Sequence, residues 1–167
     1  IILMNKIAFI RTGGQTGVDR SAFDVARKYN LPILGWCPKN GWAEDMQTLP
    51  GLIEKYPEMH ETPSPDPSQR TSWNVRDSHA TLIITTQDLS ISKGTFLTIK
   101  FAQEMSRPYL IFQFDQNISV IIDWLTQLGN ELTLNIAGPR ESESPGIYQK
   151  TFSILEDLIK RVNTTHS

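Results

Sequence analysis

Arg11-Thr12-Gly13-Gly14-Gln15-Thr16-Gly17-Val18-Asp19-Arg20 is the stretch from which the fold can be read. It follows Lys6-Ile7-Ala8-Phe9-Ile10, a short run rich in β-formers that reads as a strand. After it, apolar residues recur at Val18, Ala22, Val25, Ala26 and Tyr29, the spacing of a helix with one buried face. Gly13, Gly14 and Gly17 therefore sit on a strand-to-helix turn. Glycine there permits a tight turn and a close approach to the backbone. A helix's first N–H groups lack intrahelical partners, and its dipole favours an anion, at roughly 0.3–1 kcal/mol per exposed contact. Gln15 and Thr16 add side-chain donors. The turn is expected to hold an anion, and a bulky side chain at Gly14 to block it. The spacing is neither GxGxxG nor GxxxxGK[ST], so neither a dinucleotide fingerprint nor a Walker loop follows.

Working outward, the pattern repeats. Leu31–Trp36 reads as a second short strand, with Pro32 tolerated at its start. Ala80–Thr85 is a continuous apolar run of the kind found in buried parallel strands, and Pro108–Phe112 and Leu132–Ala137 are further strands. Helices are expected over Gln69–Ser78, from Ser92 through Met105, around Ile118–Leu128 and around Tyr148–Val162. Strand and helix alternate throughout. The expected fold is α/β: a three-layer sandwich, mainly parallel sheet with helices on both faces, formed by one domain over residues 1–167. Ligands of such sheets bind at the carboxyl ends of the strands, near a switch in strand order. From Cys37 to about Gln69, six prolines interrupt any regular helix, and a long ordered binding loop is expected.

The composition excludes several classes. The formal net charge is −2 with 20% charged residues, so no general basic field invites nucleic acid or an anionic membrane. Cys37 is the one cysteine, which rules out an intrachain disulfide and suits a reducing compartment. Ile1-Ile2-Leu3-Met4 is too short for the apolar region of a signal peptide, and no run approaches the ~20 apolar residues of a membrane span. A cytoplasmic location is expected.

Polar residues gather where strands end and helices begin. Besides Gly13–Arg20 there are Gly35-Trp36-Cys37-Pro38-Lys39 with Ala43-Glu44-Asp45, then Lys93-Gly94-Thr95, then Ala137-Gly138-Pro139-Arg140. Arg20, Lys39, Arg76, Lys93 and Arg140 can surround one crevice and receive a small anionic ligand. Gly94-Thr95 offers a second helix N-terminus; alternatively Thr95 is a structural cap. Glu44, Asp45 and Asp77, acceptors only when ionised, can accept from a heterocycle's N–H groups or hold the arginines in place. For catalysis little is present. His60, His79 and His166 are scattered, no spacing resembles a zinc site, and Cys37 reads best as a small buried thiol.

Taken together, Gly13–Arg20, Gly35–Lys39, Ala43–Asp45, Glu61–Ser64, Gln69–Thr71, Trp73-Asn74-Val75-Arg76-Asp77-Ser78, Ala137–Arg140 and Pro145–Tyr148 resemble the family of molybdenum cofactor carrier proteins. The resemblance runs from about Ile7 to Leu158. It implies a Rossmann-like fold related to the phosphoribohydrolases once labelled lysine decarboxylases. It also implies non-covalent holding of the molybdenum cofactor (molybdopterin) as cargo, and a homo-oligomer, typically a tetramer. Molybdenum enzymes or cofactor-synthesis proteins are the implied partners. The implied cofactor-binding residues are Gly13, Gly14, Gln15, Thr16, Gly17, Arg20, Lys39, Glu44, Asp45, Asn74, Arg76, Asp77, Lys93, Gly94 and Thr95, with no catalytic and no metal-ligating residue. A nucleotide sensor or nucleoside-phosphate hydrolase of the same superfamily is the alternative. The chain departs from the family at Arg11, Asn40-Gly41, His79 and Lys93. The hydrolases' Pro-Gly-Gly-x-Gly-Thr motif is followed by a glutamate, whereas Gly94-Thr95 here leads into Phe96-Leu97-Thr98-Ile99. That absence argues against glycosidic hydrolysis.

Overall fold

The computed structural model describes residues 4–86 and 92–163. Ile1, Ile2, Leu3 and His166 lie outside these residues. Its elements in chain order are β1 (Ile7–Arg11), α1 (Val18–Lys28), β2 (Ile33–Leu34), β3 (Trp36–Cys37), a 3-10 turn (Lys39–Gly41), α2 (Leu52–Lys55) and β4 (His60–Glu61). Then follow α3 (Pro67–Arg76), β5 (Ala80–Thr85), α4 (Lys93–Glu104), β6 (Tyr109–Gln113), α5 (Ser119–Leu128), β7 (Leu132–Ala137) and α6 (Ile147–Val162).

Five strands form one parallel sheet in the order β2-β1-β7-β5-β6. The architecture is the α/β sandwich that the alternating pattern predicts. The strand order adds something the pattern does not contain. Counted from β7 instead of β1, the sequence β7, β1, β2, β5, β6 gives the spatial order 3-2-1-4-5 of a doubly wound sheet. The connection from β7 through α6 back to β1 is completed by hydrogen bonds. Lys6 N donates to Val162 O, and the Asn163 amide pairs with Ile7, receiving from its N–H (3.1 Å) and donating to its carbonyl (2.8 Å). The switch in strand order falls between β7 and β5.

The two faces of the sheet differ. Alternation along the strands sends Leu82, Ile84, Leu134, Ile136, Leu110 and Phe112 to the face where α1, α5 and α6 supply Val18, Phe23, Ile121, Leu125, Leu155 and Leu158. That is the hydrophobic core, and each such buried side chain contributes about 1.5–3 kcal/mol. The opposite face, with α3 and α4 packed together, is polar at its centre: Thr81, Thr85, Asn74, Thr98 and Asn135 are all buried there. Asn135 Nδ2 donates to Thr81 Oγ1 across the strands (3.2 Å).

The proline-rich segment is more structured than its sequence suggests. β3 and β4 pair in parallel as a separate two-stranded sheet, and α2 lies in the connection between them. Leu52, Tyr56 and Met59 are buried in the main core, so this segment is part of the body of the protein. Helix α3 also begins earlier than expected, with Asp66 as its cap and Pro67 in its first turn.

Candidate functional site

At the Gly-rich turn, the chain satisfies its own donors. Gly14 N donates to Thr12 Oγ1 (2.9 Å), Gln15 N to Asp19 Oδ2 (3.3 Å), Thr16 N to Gln15 Oε1 (3.0 Å), and Val18 N to Pro139 O (3.3 Å). The anion resting on this turn is the carboxylate of Asp19, which also faces the N–H of Gly13. In the first turn of α1, Val18 N goes to Pro139 O and Arg20 N to Gln15 O (2.9 Å), so two of the N–H groups expected to face an anion are met from within the chain. Gly14 has a φ of 73°, and a Cβ there would stand 2.9 Å from Met59 Sδ and 3.0 Å from Leu52 Cδ1. Its missing side chain makes room for these two core side chains.

Beside this turn lies a cavity of about 470 Å³ at the carboxyl end of the sheet. That is within the ~300–1,000 Å³ range of small-molecule sites. Gly13, Gln15 and Asp19 form one wall. The first turns of α3 form a second, with Ser68, Arg70, Thr71 and Asn74. Lys93, Gly94, Leu97 and Thr98 of α4 form a third, and Asn135, Ala137 and Gly138 close the floor, flanked by Arg140 and Glu143. Both helix N-termini that face the cavity are capped from within the chain. Asp66 Oδ1 accepts from Ser68 N (2.9 Å), and Ser92 Oγ accepts from Thr95 N (3.1 Å) and from the Thr95 hydroxyl (2.7 Å). The cap of α4 is thus Ser92, and Thr95 is buried behind it.

Three cations reach the cavity. Arg70 is 7% exposed, and its Nη1 donates to Gly13 O (2.9 Å). Burial lowers its pKa, and the charge of Asp19 opposes that shift. Arg140 is half-buried, 3.8 Å from Glu44 Oε2 and 5.7 Å from the centre of the Trp42 ring. Lys93 is exposed. Asp19 is 8% exposed; burial pushes its carboxyl up to about 6, against the pull of Arg70 and of the backbone N–H groups. Gln15 Oε1 accepts from Thr16 N and Glu44 N, while its Nε2 is buried without a partner.

Of the residues expected from sequence, Gly13, Gln15, Asn74, Lys93 and Gly94 line this cavity, whereas Gly14, Thr16, Gly17, Arg20, Lys39, Glu44, Asp45, Arg76, Asp77 and Thr95 do not. Their side chains are occupied elsewhere. Arg20 donates to both carboxylate oxygens of Asp45 (2.8 and 2.9 Å) and to Gly14 O (3.1 Å). Glu44 accepts from Thr16 and from Ser142, and although burial works against it these bonds hold its carboxyl below the ordinary value. Arg76 donates to Asp77, lies over the Trp73 ring, and shares Asp77 with Trp36 Nε1 (2.8 Å). Lys39 is exposed on the 3-10 turn. Of the two roles open to the three carboxylates, the structure displays the second: Asp45 and Asp77 hold arginines, and Glu44 ties loop 42–46 to loop 139–144.

Asn74 is also a staple, accepting from Trp36 N (2.9 Å) and donating to Trp36 O (3.0 Å). Cys37 is buried against His60 O, and burial pushes its thiol up to about 11. Among the described residues, no group of three His, Cys, Asp or Glu side chains is arranged to hold a metal ion. No helix among them is long and apolar enough to cross a membrane.

Among the cavity residues absent from the set expected from sequence are Asp19, Arg70 and Asn135. Arg70 follows the Asp66-Pro67 helix start by one turn, and that start was the available signal. Asn135 is a buried amide in the mostly apolar strand Leu132–Ala137.

The chain matches a family described as "Circularly permutated YpsA SLOG family" over residues 10–159. It is also similar to the crystal structure of a "putative molybdenum carrier protein" from Syntrophus aciditrophicus SB. The identity is 38% and the TM-score 0.82, over 92% of this chain and 96% of that one. No curated protein matches the sequence significantly. The strand order, which becomes 3-2-1-4-5 when counted from β7, agrees with a permuted family.

Proposed function

The chain belongs to the circularly permutated YpsA SLOG family, and from that premise we propose that it is a non-catalytic binding protein whose cavity holds an anionic small-molecule cargo, the molybdenum cofactor. The observation that carries this reading is the cavity at the switch in strand order, with Arg70, Arg140 and Lys93 on its walls. Three cations in one concave site of a chain of net charge −2 are a local arrangement, suited to a phosphate or an oxo-anion. Asn135, Asn74, Thr98 and Gln15 add the mixed donors and acceptors that a pterin edge requires. The name of the similar crystal structure supports the same cargo class. Delivery to a molybdenum enzyme, from a cytoplasmic homo-oligomer, belongs to the same reading.

The strand order favours one rival. A doubly wound sheet with its cavity at the switch point is also the setting in which nucleotides bind. The deciding experiment is anaerobic mixing of purified protein with molybdenum cofactor, passage through a desalting column, and measurement of retained pterin by oxidation to its fluorescent form. Arg140→Gln with Lys93→Gln serves as the cavity variant. Retention by the wild type and loss in the double variant is the expected result. A folded wild type that retains no pterin, but binds a nucleoside monophosphate without turnover, refutes the cargo and supports the rival.

A further inference from the structure

The Gly-rich turn binds an anion, and that anion belongs to the chain. Asp19 lies in the first turn of α1, faces the N–H groups of Gly13 and Gln15, and forms part of the cavity wall. Across from it Arg70 reaches from α3 to Gly13 O, so carboxylate and guanidinium share one glycine residue's peptide groups and oppose each other's charge. Both are more than nine-tenths buried. We propose that Asp19 is the resident anion of the cavity: while ionised it neutralises Arg70 and confines a ligand's anionic group to Lys93 and Arg140, and when neutralised it releases Arg70 as a further anion contact.

The groups around the pair are consistent with that assignment. Arg20 acts on Asp19 from the same helix, and Arg140 and Cys37 act on Arg70 from the loop after β7 and from β3. Arg20 is committed to Asp45 and Gly14, so Arg70, which bonds Gly13 O and feels Asp19 through its charge, is the cation whose electrostatic balance changes most when Asp19 takes up a proton. Lys93, Asp66 and Glu143 complete the charged lining, on the far walls. Ligand charge and pH are therefore coupled in this cavity: a ligand with a single anionic group is received at Lys93 and Arg140 at neutral pH, and a second anionic contact opens on acidification.

The inference rests on the cavity being an anion site, though not on the cargo being molybdopterin. Sulfate is the probe, because it stays fully ionised across the range and any pH dependence then reports the protein. A carboxyl titrating at about 6 is about 3% protonated at pH 7.5 and about 75% at pH 5.5, so sulfate affinity can rise by up to about 25-fold. Calorimetric titration at constant ionic strength is expected to show that rise in the wild type. Asp19→Asn should bind at pH 7.5 as the wild type does at pH 5.5, with a flat profile. Arg70→Gln should lose the acid enhancement, and Arg140→Gln should weaken binding at both pH values. A flat wild-type profile, no sulfate binding at any pH, or a wild-type profile retained in folded Asp19→Asn would overturn the proposal. Pterin retention plays no part in this assay, so failure of the cargo assignment and failure of this inference are separately visible.

Discussion

Gly17→Ala is the substitution for which the structure gives the most definite expectation. Gly17 caps α1 at φ 80° and ψ −126°, a conformation that side chains with a Cβ rarely adopt. A Cβ there would stand 2.4 Å from Pro139 O and 2.8 Å from both Arg140 C and Glu141 N. Every one of those atoms is backbone, so no side-chain rotation relieves the clash, and the loop after β7 must move away from α1. Moving it stretches Val18 N–Pro139 O and Glu141 N–Thr16 Oγ1, 3.3 and 3.2 Å. The backbone strain costs about 1–3 kcal/mol and each of the two hydrogen bonds about 0.5–1.5 kcal/mol, a total of about 2–6 kcal/mol. For a chain of this size that is a fall in Tm of roughly 4–24 °C. Urea unfolding followed by tryptophan fluorescence, together with a thermal melt, measures both. Sulfate affinity should fall as well, because Arg140 rides on the displaced loop. Gly94→Ala is the control. A Cβ there meets nothing within 4 Å, so stability should hold or rise by up to about 1 kcal/mol. A loss below about 1 kcal/mol in Gly17→Ala, or equal losses in the two variants, would refute the account of the turn.

Three further outcomes follow from the same geometry. The carboxyl of Asp19 is raised from 3.8 to about 6, so the folded protein holds this proton more tightly than the unfolded chain; the stabilisation is complete below about pH 4 and is lost as pH rises to about 6. The unfolding free energy of Asp19→Asn relative to wild type should therefore rise by about 1–3 kcal/mol between pH 4 and pH 7, read by urea titration at each pH; a constant difference would contradict the burial of this charge. Arg20→Met removes a nearly buried guanidinium that binds Asp45 and Gly14 O, and should cost about 1–3 kcal/mol, whereas Arg76→Met breaks an exposed pair and should cost less than about 1 kcal/mol; chemical denaturation of the two variants side by side tests the ranking. A circular permutant opened between Gly129 and Asn130, with Asn163 joined to Lys6 by a short flexible linker, should fold with the same far-ultraviolet circular dichroism and the same sulfate affinity, since hydrogen bonds already hold those ends together.

The alternation of strand and helix was legible because each element spans enough residues for its period to be visible: the apolar run of β5 and the stripe of α1 need nothing beyond the chain itself. β3 and β4 were not legible, since two residues have no period, and their existence depends on Trp36 and Cys37 meeting His60 and Glu61 across more than twenty residues. Strand order was equally out of reach. It is set by which edges pair, and β7 enters between β1 and β5 although it comes last in the chain. The site divides in the same way. Gly13, Gln15, Lys93 and Gly94 could be placed beside the cavity because a strand–glycine–helix turn has a local geometry that is the same wherever it occurs. What occupies that turn is a tertiary matter. A carboxylate in the first turn of a helix reads from sequence as an exposed complement to the dipole, worth a few tenths of a kcal/mol. Asp19 becomes a buried acceptor only because the loop after β7 closes over α1 and Arg70 arrives from a helix some fifty residues later. The same closure shields the glycine turn and leaves the cavity's cations on elements distant from it in sequence. A motif that looks like an anion site is thus, in this protein, held closed by its own chain and forms one wall of the cavity next door.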